Sequence, residues 1–458
     1  MASILKSRFL KPQTRYQFLA TIIVNIITFA HGIVLGWLSP TLTKIQTPDT
    51  PLDFEVNIDE ISWLGSMLGL GSLSGNLVIV FLLERAGRKF FLYLLAVPYA
   101  CLWILIYCAS NVYFLYAARF LGGFTGGVSY VVLPIFISEI ADTSIRGALT
   151  SILMLSVNLG ILVGYIASSY LDYHVVPLVV SFLPIVYFLA NLMLPESAPY
   201  LLKTNKLTAA EKSFRYYKNQ RGDKQSSMET FEELRLAVLS QKMNGTSGIT
   251  FKDFVTKPAL KGFAAAFVLC TGFEFSNVFS FMNYMSDIFA KSGSILDVDT
   301  CTIIMGVVQV IGVYTSTIFV DIVGRRLLLL ISTLGVGVGC IAFGCFTYFG
   351  ELYDLHDFNW LPFVLMIFII YVGNVGIMGL FFLVVCEVHP AKIRSVATSI
   401  SIAFMGILVF VTLKLFPLLL HFWGISATMW FSAFSCLVTF VYILFLLPET
   451  KGKSMVEE

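Results

Sequence analysis

The chain has 458 residues, 57% of them apolar and 13% charged, with 30 Lys and Arg against 28 Asp and Glu. This composition excludes an ordinary soluble globular domain, and a formal net charge of +2 gives no basis for nucleic-acid binding. Apolar runs of eighteen residues or more recur along the chain, which marks a polytopic membrane protein.

In chain order the runs fall at 17–38, 61–83, 90–110, 113–138, 148–169, 175–194, 261–290, 301–320, 327–349, 361–386, 395–420 and 424–447. At a rise of about 1.5 Å per residue, each can cross a hydrocarbon core of about 30 Å. A helix is the only open segment that satisfies its own backbone in lipid, so the fold class is an all-α membrane protein with twelve transmembrane helices. The first run is too long for a removed signal peptide and has no small-residue cleavage site, so it spans.

Orientation follows from the basic residues. Lys6, Arg8, Lys11 and Arg15 precede the first span, Arg85, Arg88 and Lys89 follow the second, and nine Lys or Arg lie between Lys203 and Lys242. The alternate connections are acidic, with Asp49, Asp53, Glu55, Asp59 and Glu60 after span one and Glu351, Asp354 and Asp357 after span nine. The positive-inside rule then places both termini and the central loop in the cytoplasm.

The long polar stretch from Lys203 to Lys257 divides the spans six and six. The expected organisation is an N-terminal six-helix bundle at 1–202, a cytoplasmic loop with short amphipathic helices at 203–258, a C-terminal bundle at 259–446 and a cytoplasmic tail at 447–458. The eight cysteines show no metal-ligand spacing and read as buried free thiols, and no bound cofactor is expected. The sequon Asn244-Gly-Thr246 falls in the cytoplasmic loop and should be unused.

Signatures recur in matched places in the two halves. Glu84-Arg85-Ala-Gly87-Arg88-Lys89 after span two pairs with Asp321-Ile-Val-Gly324-Arg325-Arg326 after span eight. Glu139 precedes Arg146 by seven residues, as Glu387 precedes Arg394, and Pro195-Glu196-Ser pairs with Pro448-Glu449-Thr. The order implies an internal duplication. Acids at one helix end and arginines at the next helix start can form ion-pair networks that hold the halves together on the cytoplasmic side when the protein faces outward. Gly123 and Gly127, with Gly122 and Gly126, have the small-xxx-small spacing that lets helix four approach a neighbour closely.

These motifs resemble the sugar porter family of the major facilitator superfamily over nearly the whole chain. They read ERAGRK and DIVGRR, Arg119-Phe-Leu-Gly-Gly123-Phe-Thr-Gly-Gly127, Ser138-Glu139 with Arg146-Gly147, and PETKGKS from Pro448. Ile61-Ser62-Trp63-Leu-Gly65-Ser and VTLKLFP from Val411 resemble the insect branch that includes the facilitated trehalose transporters. The resemblance implies two pseudo-symmetric six-helix bundles that rock around a solute at the midplane. It also implies facilitated diffusion of a sugar, trehalose or a monosaccharide, through the plasma membrane by a protein that functions as a monomer and is not an enzyme.

Sugar porters hydrogen-bond the sugar through two glutamines and an asparagine in helix seven. Aligned on Tyr284, these positions hold Phe273, Glu274 and Phe279 here, and the helix-five glutamine position holds Met154. Gln309 matches a family amide position, Asn374 stands where many members are polar, and Phe382 keeps an aromatic face. Asn283 and Ser276 remain polar on helix seven. The candidate substrate-binding residues are therefore Glu274, Gln309, Asn374, Phe382, Asn283, Phe279 and Met154. The candidate gate residues are Glu84, Arg85, Arg88, Glu139, Arg146, Glu196, Asp321, Arg325, Glu387, Arg394 and Glu449.

Proton-coupled members pair a helix-one Asp with the helix-four arginine. Here that position is Ile33, with Arg119 present, which favours a facilitator. Glu274 keeps other readings open: a proton-linked porter, a porter of a non-sugar solute, or a transporter-like sensor that has lost transport. His31 is a second titratable group and reads as an interfacial hydrogen-bonder near the outer end of its span.

Overall fold

A computed structural model of the chain describes residues 14–47, 50–142, 145–218, 224–244, 251–292, 296–353, 356–390 and 392–449. The sequon threonine and the end of the tail, 450–458, lie outside them, as does the Asp321 side chain.

Among the described residues there are twelve long helices. The first six are α1 (Arg15–Ile45), α2 (Ile58–Ala86), α3 (Arg88–Tyr107), α4 (Val112–Ile140), α5 (Arg146–Tyr170) and α6 (Val175–Leu192). The second six are α7 (Lys257–Asn283), α8 (Val298–Val323), α9 (Arg325–Leu352), α10 (Leu361–Glu387), α11 (Arg394–Phe422) and α12 (Gly424–Phe445). Among the described residues eleven of them are both long and apolar enough to cross a membrane. The remaining one, α2, has 29 residues, spans roughly 44 Å and is held between α4 and α11.

Helix ends follow local chemistry. Asn57 and Glu60 form a reciprocal cap at the start of α2, each side chain accepting from the other's backbone N–H at 2.9 and 2.8 Å. Thr256 and Asp297 cap α7 and α8. Helix α1 runs seven residues past the apolar run read from sequence, since polar residues Ser39, Thr41 and Thr43 continue it to Ile45.

Two bundles result, α1–α6 and α7–α12. In the first, α1 packs along α5 and α2 along α4; in the second, α9 packs along α12 and α7 along α11. The two most extensive helix pairs that join the bundles are α2 with α11 and α5 with α8. A shift of six exchanges one pair for the other, which is the pseudo-two-fold relation of the duplication. A Cβ added at Gly123 or Gly127 would lie 1.9 Å from the Leu68 carbonyl oxygen or 2.3 Å from that of Ser72, so only glycine allows the α2–α4 contact. Short helices Ala198–Lys203, Leu207–Lys218 and Lys224–Asn244 share a small core of Leu202, Ala210, Phe214, Phe231 and Val238 beside the bundles.

The repeated turns between α2 and α3 and between α8 and α9 define one face, here the basic face. Gly87 and Gly324 sit there at φ 91° and 97°, a region that favours glycine. Arg88 is buried and bonds Glu84 at 2.7 Å and Glu139 at 2.9 Å, while Glu196 accepts from the Lys89 N–H at 2.9 Å. Burial lifts the Glu196 carboxyl above its ordinary range against the opposing pull of those N–H groups and Arg88. In the second half Arg325 pairs with Glu387 at 3.4 Å, and Glu449 accepts from the N–H groups of Arg325 and Arg326 at 3.1 Å.

In this conformation each network closes within its own bundle; the expected link between the halves belongs to the outward-facing state. Among the described residues no ion pair joins the halves at this face, because each arginine and its acids sit on adjacent helices of one bundle. Arg85 and Arg146 are exposed without ion pairs among the described residues, and Arg394 donates to the His389 carbonyl at 3.2 Å. The cysteines are free, but Cys101, Cys108 and Cys386 are exposed rather than buried.

Candidate functional site

Between the bundles lies a cavity lined from both halves, with about 1000 Å³ of empty space counted together with its opening to solvent. Helices α1, α2, α4 and α5 contribute His31, Ser72, Asn76, Tyr130, Met154 and Asn158, and the second half contributes Glu274, Phe279, Asn374 and Phe382 among others. Two helices on the second side depart from regular geometry at the cavity. Asn277 adopts a left-handed conformation, φ 58°, and breaks α7 just after Glu274. Its amide donates to Ser432 of α12 at 2.8 Å, which holds a conformation costly for a non-glycine residue. Helix α10 widens into a π turn at Asn374–Met378, so its backbone is displaced where it meets the cavity.

Glu274 has no solvent exposure. Its Oε2 accepts from the Thr412 hydroxyl of α11 at 3.0 Å, and its Oε1 bonds no protein group. Among the described residues that line the cavity none is Lys or Arg. An isolated carboxylate in such a place is costly, and Glu274 borders the space a solute would fill.

Five of the seven expected binding residues line the cavity: Glu274, Asn374, Phe382, Phe279 and Met154. Gln309 and Asn283 do not. Gln309 is buried one turn from Gly306, which packs against Leu162 and Tyr165, so it lies in the α5–α8 seam. Asn283 is held below the site: its amide donates to the Phe279 carbonyl at 3.0 Å, and its Oδ1 accepts from Arg119 at 3.4 Å. Arg119 spends its other donors on the carbonyls of Val34 and Leu64 at 3.0 and 3.3 Å. The helix-four arginine thus has backbone partners where Ile33 leaves no carboxylate.

Four lining residues, His31, Asn76, Tyr130 and Asn158, were not among the binding residues expected from sequence. His31 stands mid-helix, not at the outer end, in the gap left by Gly126 and edge-on to Tyr130 at 5.6 Å. Asn76 and Asn158 are lone amides inside apolar helices, a signal strong enough to mark both as candidates.

The two faces of the cavity differ. At the acidic face, which carries Asp59 and Asp299, polar bonds join the halves. Ser39 and Ser286 share a hydrogen bond at 3.0 Å, Ser169 donates to Asp299 at 3.0 Å, and Tyr165 donates to the Met282 carbonyl at 2.6 Å. Lys414 of α11 reaches α2, bonding Asp59 and Ser62 at 2.7 Å each and lying 4.2 Å from the Trp63 ring centre. Toward the basic face the halves meet through Tyr130 and Phe382, stacked at 5.6 Å and 26°. The molecule is closed at the acidic face and held on the other side by an aromatic contact.

Comparisons with known proteins agree with this architecture. A family model described as "Sugar (and other) transporter" matches residues 12–458. The facilitated trehalose transporter Tret1 of Apis mellifera ligustica is 28% identical over 442 residues, which cover 96% of this chain and 87% of that protein. Tret1 of Bombyx mori is also 28% identical, over 443 residues and 96% and 86% of the two chains. Among solved structures, the inward open conformation of the xylose transporter XylE from E. coli superposes with a TM-score of 0.78 at 17% identity, covering 96% of this chain and 98% of that one. The proton:xylose symporter XylE bound to 6-bromo-6-deoxy-D-glucose gives 0.73 at 18% identity, covering 97% and 98%.

Proposed function

The chain belongs to the sugar (and other) transporter family, and on that premise we propose that it carries a sugar, trehalose or a monosaccharide, across the plasma membrane by alternating access. The observation that carries the reading is the cavity shared by two bundles and sealed at one face by bonds that exist only between the halves. Rocking the bundles would break those bonds and form others at the basic face, exposing the same cavity to the other side.

The charge bias of the connections puts the basic face, both termini and the helices between 203 and 258 in the cytoplasm. The structure is then inward-facing. The bundles at 1–202 and 259–446 are the moving bodies, the 447–458 tail is cytoplasmic, and the protein acts as a monomer. The turn networks around Arg88 and Arg325 keep each bundle rigid while it moves. Glu274, Asn374, Phe279, Phe382 and Met154 face the solute, with Phe382 offering a ring on which a sugar can stack.

Transport is facilitative, because Arg119 has no carboxylate partner in α1 and donates to the Val34 carbonyl instead. A proton-linked reading rests on Glu274, buried without a counter-ion. Purified protein in liposomes, assayed with labelled glucose, trehalose and polyols with and without a pH gradient, separates the two. Saturable uptake that ignores the gradient supports the facilitator, and accumulation that follows the gradient and disappears in Glu274→Gln supports the proton-linked porter. Absence of uptake by intact protein contradicts both.

A further inference from the structure

Four of the cavity's unsatisfied polar atoms are oxygens placed to accept, and the fifth, His31 Nδ1, takes either role by tautomer. Glu274 Oε1, Asn76 Oδ1, Asn158 Oδ1, Asn374 Oδ1 and His31 Nδ1 are buried without a hydrogen-bond partner, and all five residues line the cavity. For two of the amides the orientation is fixed by chemistry. Asn158 Nδ2 donates to the Met154 carbonyl at 2.9 Å and Asn374 Nδ2 to the Ile370 carbonyl at 2.8 Å. A backbone carbonyl only accepts, so flipping either amide would set oxygen against oxygen. One N–H of each amide is spent on the helix, and its acceptor oxygen is left over.

A neutral sugar hydroxyl both donates and accepts, and a site built for it offers both partners. Here the unspent groups include a carboxylate oxygen, and nothing in the lining neutralises it: no Lys or Arg is present, and Thr412 only donates a neutral hydroxyl. The rings of Tyr130, Phe273, Phe279 and Phe382 surround the same space. Acceptors around a carboxylate within an aromatic enclosure are the chemistry that holds an ammonium group.

We propose that the solute favoured by this cavity is a sugar bearing a protonated amine, with its ammonium on Glu274 Oε1 and its remaining hydroxyls donating to the amide oxygens of Asn158 and Asn374. This rests on the sugar-porter reading and narrows it to the amino sugars. The ammonium supplies the counter-charge that the lining lacks, so the burial cost of the carboxylate is met only when the solute is bound.

The test uses purified full-length protein in liposomes without a pH gradient, comparing uptake of glucose, glucosamine and N-acetylglucosamine. The acetyl derivative keeps the nitrogen and removes its charge. Glucosamine should half-saturate uptake at a concentration about tenfold below glucose, equivalent to about 1.4 kcal/mol, with N-acetylglucosamine the weakest. Glu274→Gln should abolish that preference, and Glu274→Asp, which restores the charge, should recover part of it. Glucose uptake with no advantage for glucosamine, or an advantage that persists in Glu274→Gln, overturns the inference and leaves the sugar-porter reading standing. If no solute is taken up, thermal stabilisation of the purified protein decides: stabilisation by glucosamine above glucose upholds the site while transport fails, and none overturns the site as well. Should the glutamine variant not fold, the wild-type protein decides: uptake of glucosamine ahead of N-acetylglucosamine upholds the inference, and equal uptake of the two overturns it.

Discussion

In Lys414→Met, the α2–α11 contact at the acidic face loses its ion pair with Asp59, its bond to Ser62 and its place over the Trp63 ring, while the aliphatic stem remains. Every one of those partners lies on the other bundle, so the interactions exist only while this face is closed. Asp59 is 66% exposed, and the ion pair is accordingly discounted to the lower range for surface pairs, about 0.5 kcal/mol. The cation over Trp63 adds about 0.5–1 kcal/mol. A total of about 1–1.5 kcal/mol shifts the ratio of the two conformations by roughly 5- to 15-fold toward opening at the acidic face. Spin labels on the exposed helix ends at Tyr113 of α4 and Leu352 of α9 report the separation of the halves there. The variant should populate a longer distance than the parent, and raising salt in the parent should move it partway in the same direction. An unchanged distance distribution in Lys414→Met would refute the assignment of this cluster as a latch.

Further expectations rest on local geometry. Gly123→Ala should abolish a stable fold or lower the melting temperature sharply, since its Cβ would meet the Leu68 carbonyl, whereas Gly350→Ala, with open space around it, should be silent; thermal melting of the two purified variants compares them. Arg88→Ala leaves Glu139 without its cation, while Glu84 keeps Lys203 at 3.3 Å, and should cost about 3 kcal/mol, read as lost thermal stability and lost monodispersity on size exclusion. His389, at the basic end between α10 and α11, bonds Ser401 at 3.0 Å, and burial pushes its imidazole down to about 4, with Arg394 adding to the effect. The unfolded chain protonates this histidine below about 6.5 while the folded one resists until about 4. Stability should therefore fall as pH drops from 6.5 to 4, and the slope should flatten in His389→Gln, measured as melting temperature against pH.

The spans and the duplication were legible because hydropathy and charge repeat along the chain without reference to rotation about any helix axis. The site was only half legible for the same reason. Glu274 and Phe279 came from matched positions on α7, but Gln309 lies on the face of α8 that meets α5, and Asn283, next to the lining residue Met282, bonds Arg119 instead of facing the cavity. Nothing in a single sequence distinguishes those faces. The wall formed by His31, Asn76 and Asn158 was missed because the family resemblance supplied mainly second-half positions, although lone amides in apolar helices already pointed there. The break in α7 carries no Gly or Pro to announce it; Asn277 makes it, held by Ser432 from a helix far along the chain. The two segments that resemble the insect branch, one in α2 and one in α11, turn out to meet, through Ser62, Trp63 and Lys414.

Counterflow tests alternating access most directly. Liposomes holding the purified protein and preloaded with unlabelled solute are diluted into labelled solute with no pH gradient. Alternating access predicts a transient internal accumulation of label above the external concentration that decays as the gradient of unlabelled solute runs down. Label that only equilibrates, or that accumulates only under an imposed pH gradient, would contradict facilitative exchange through this cavity.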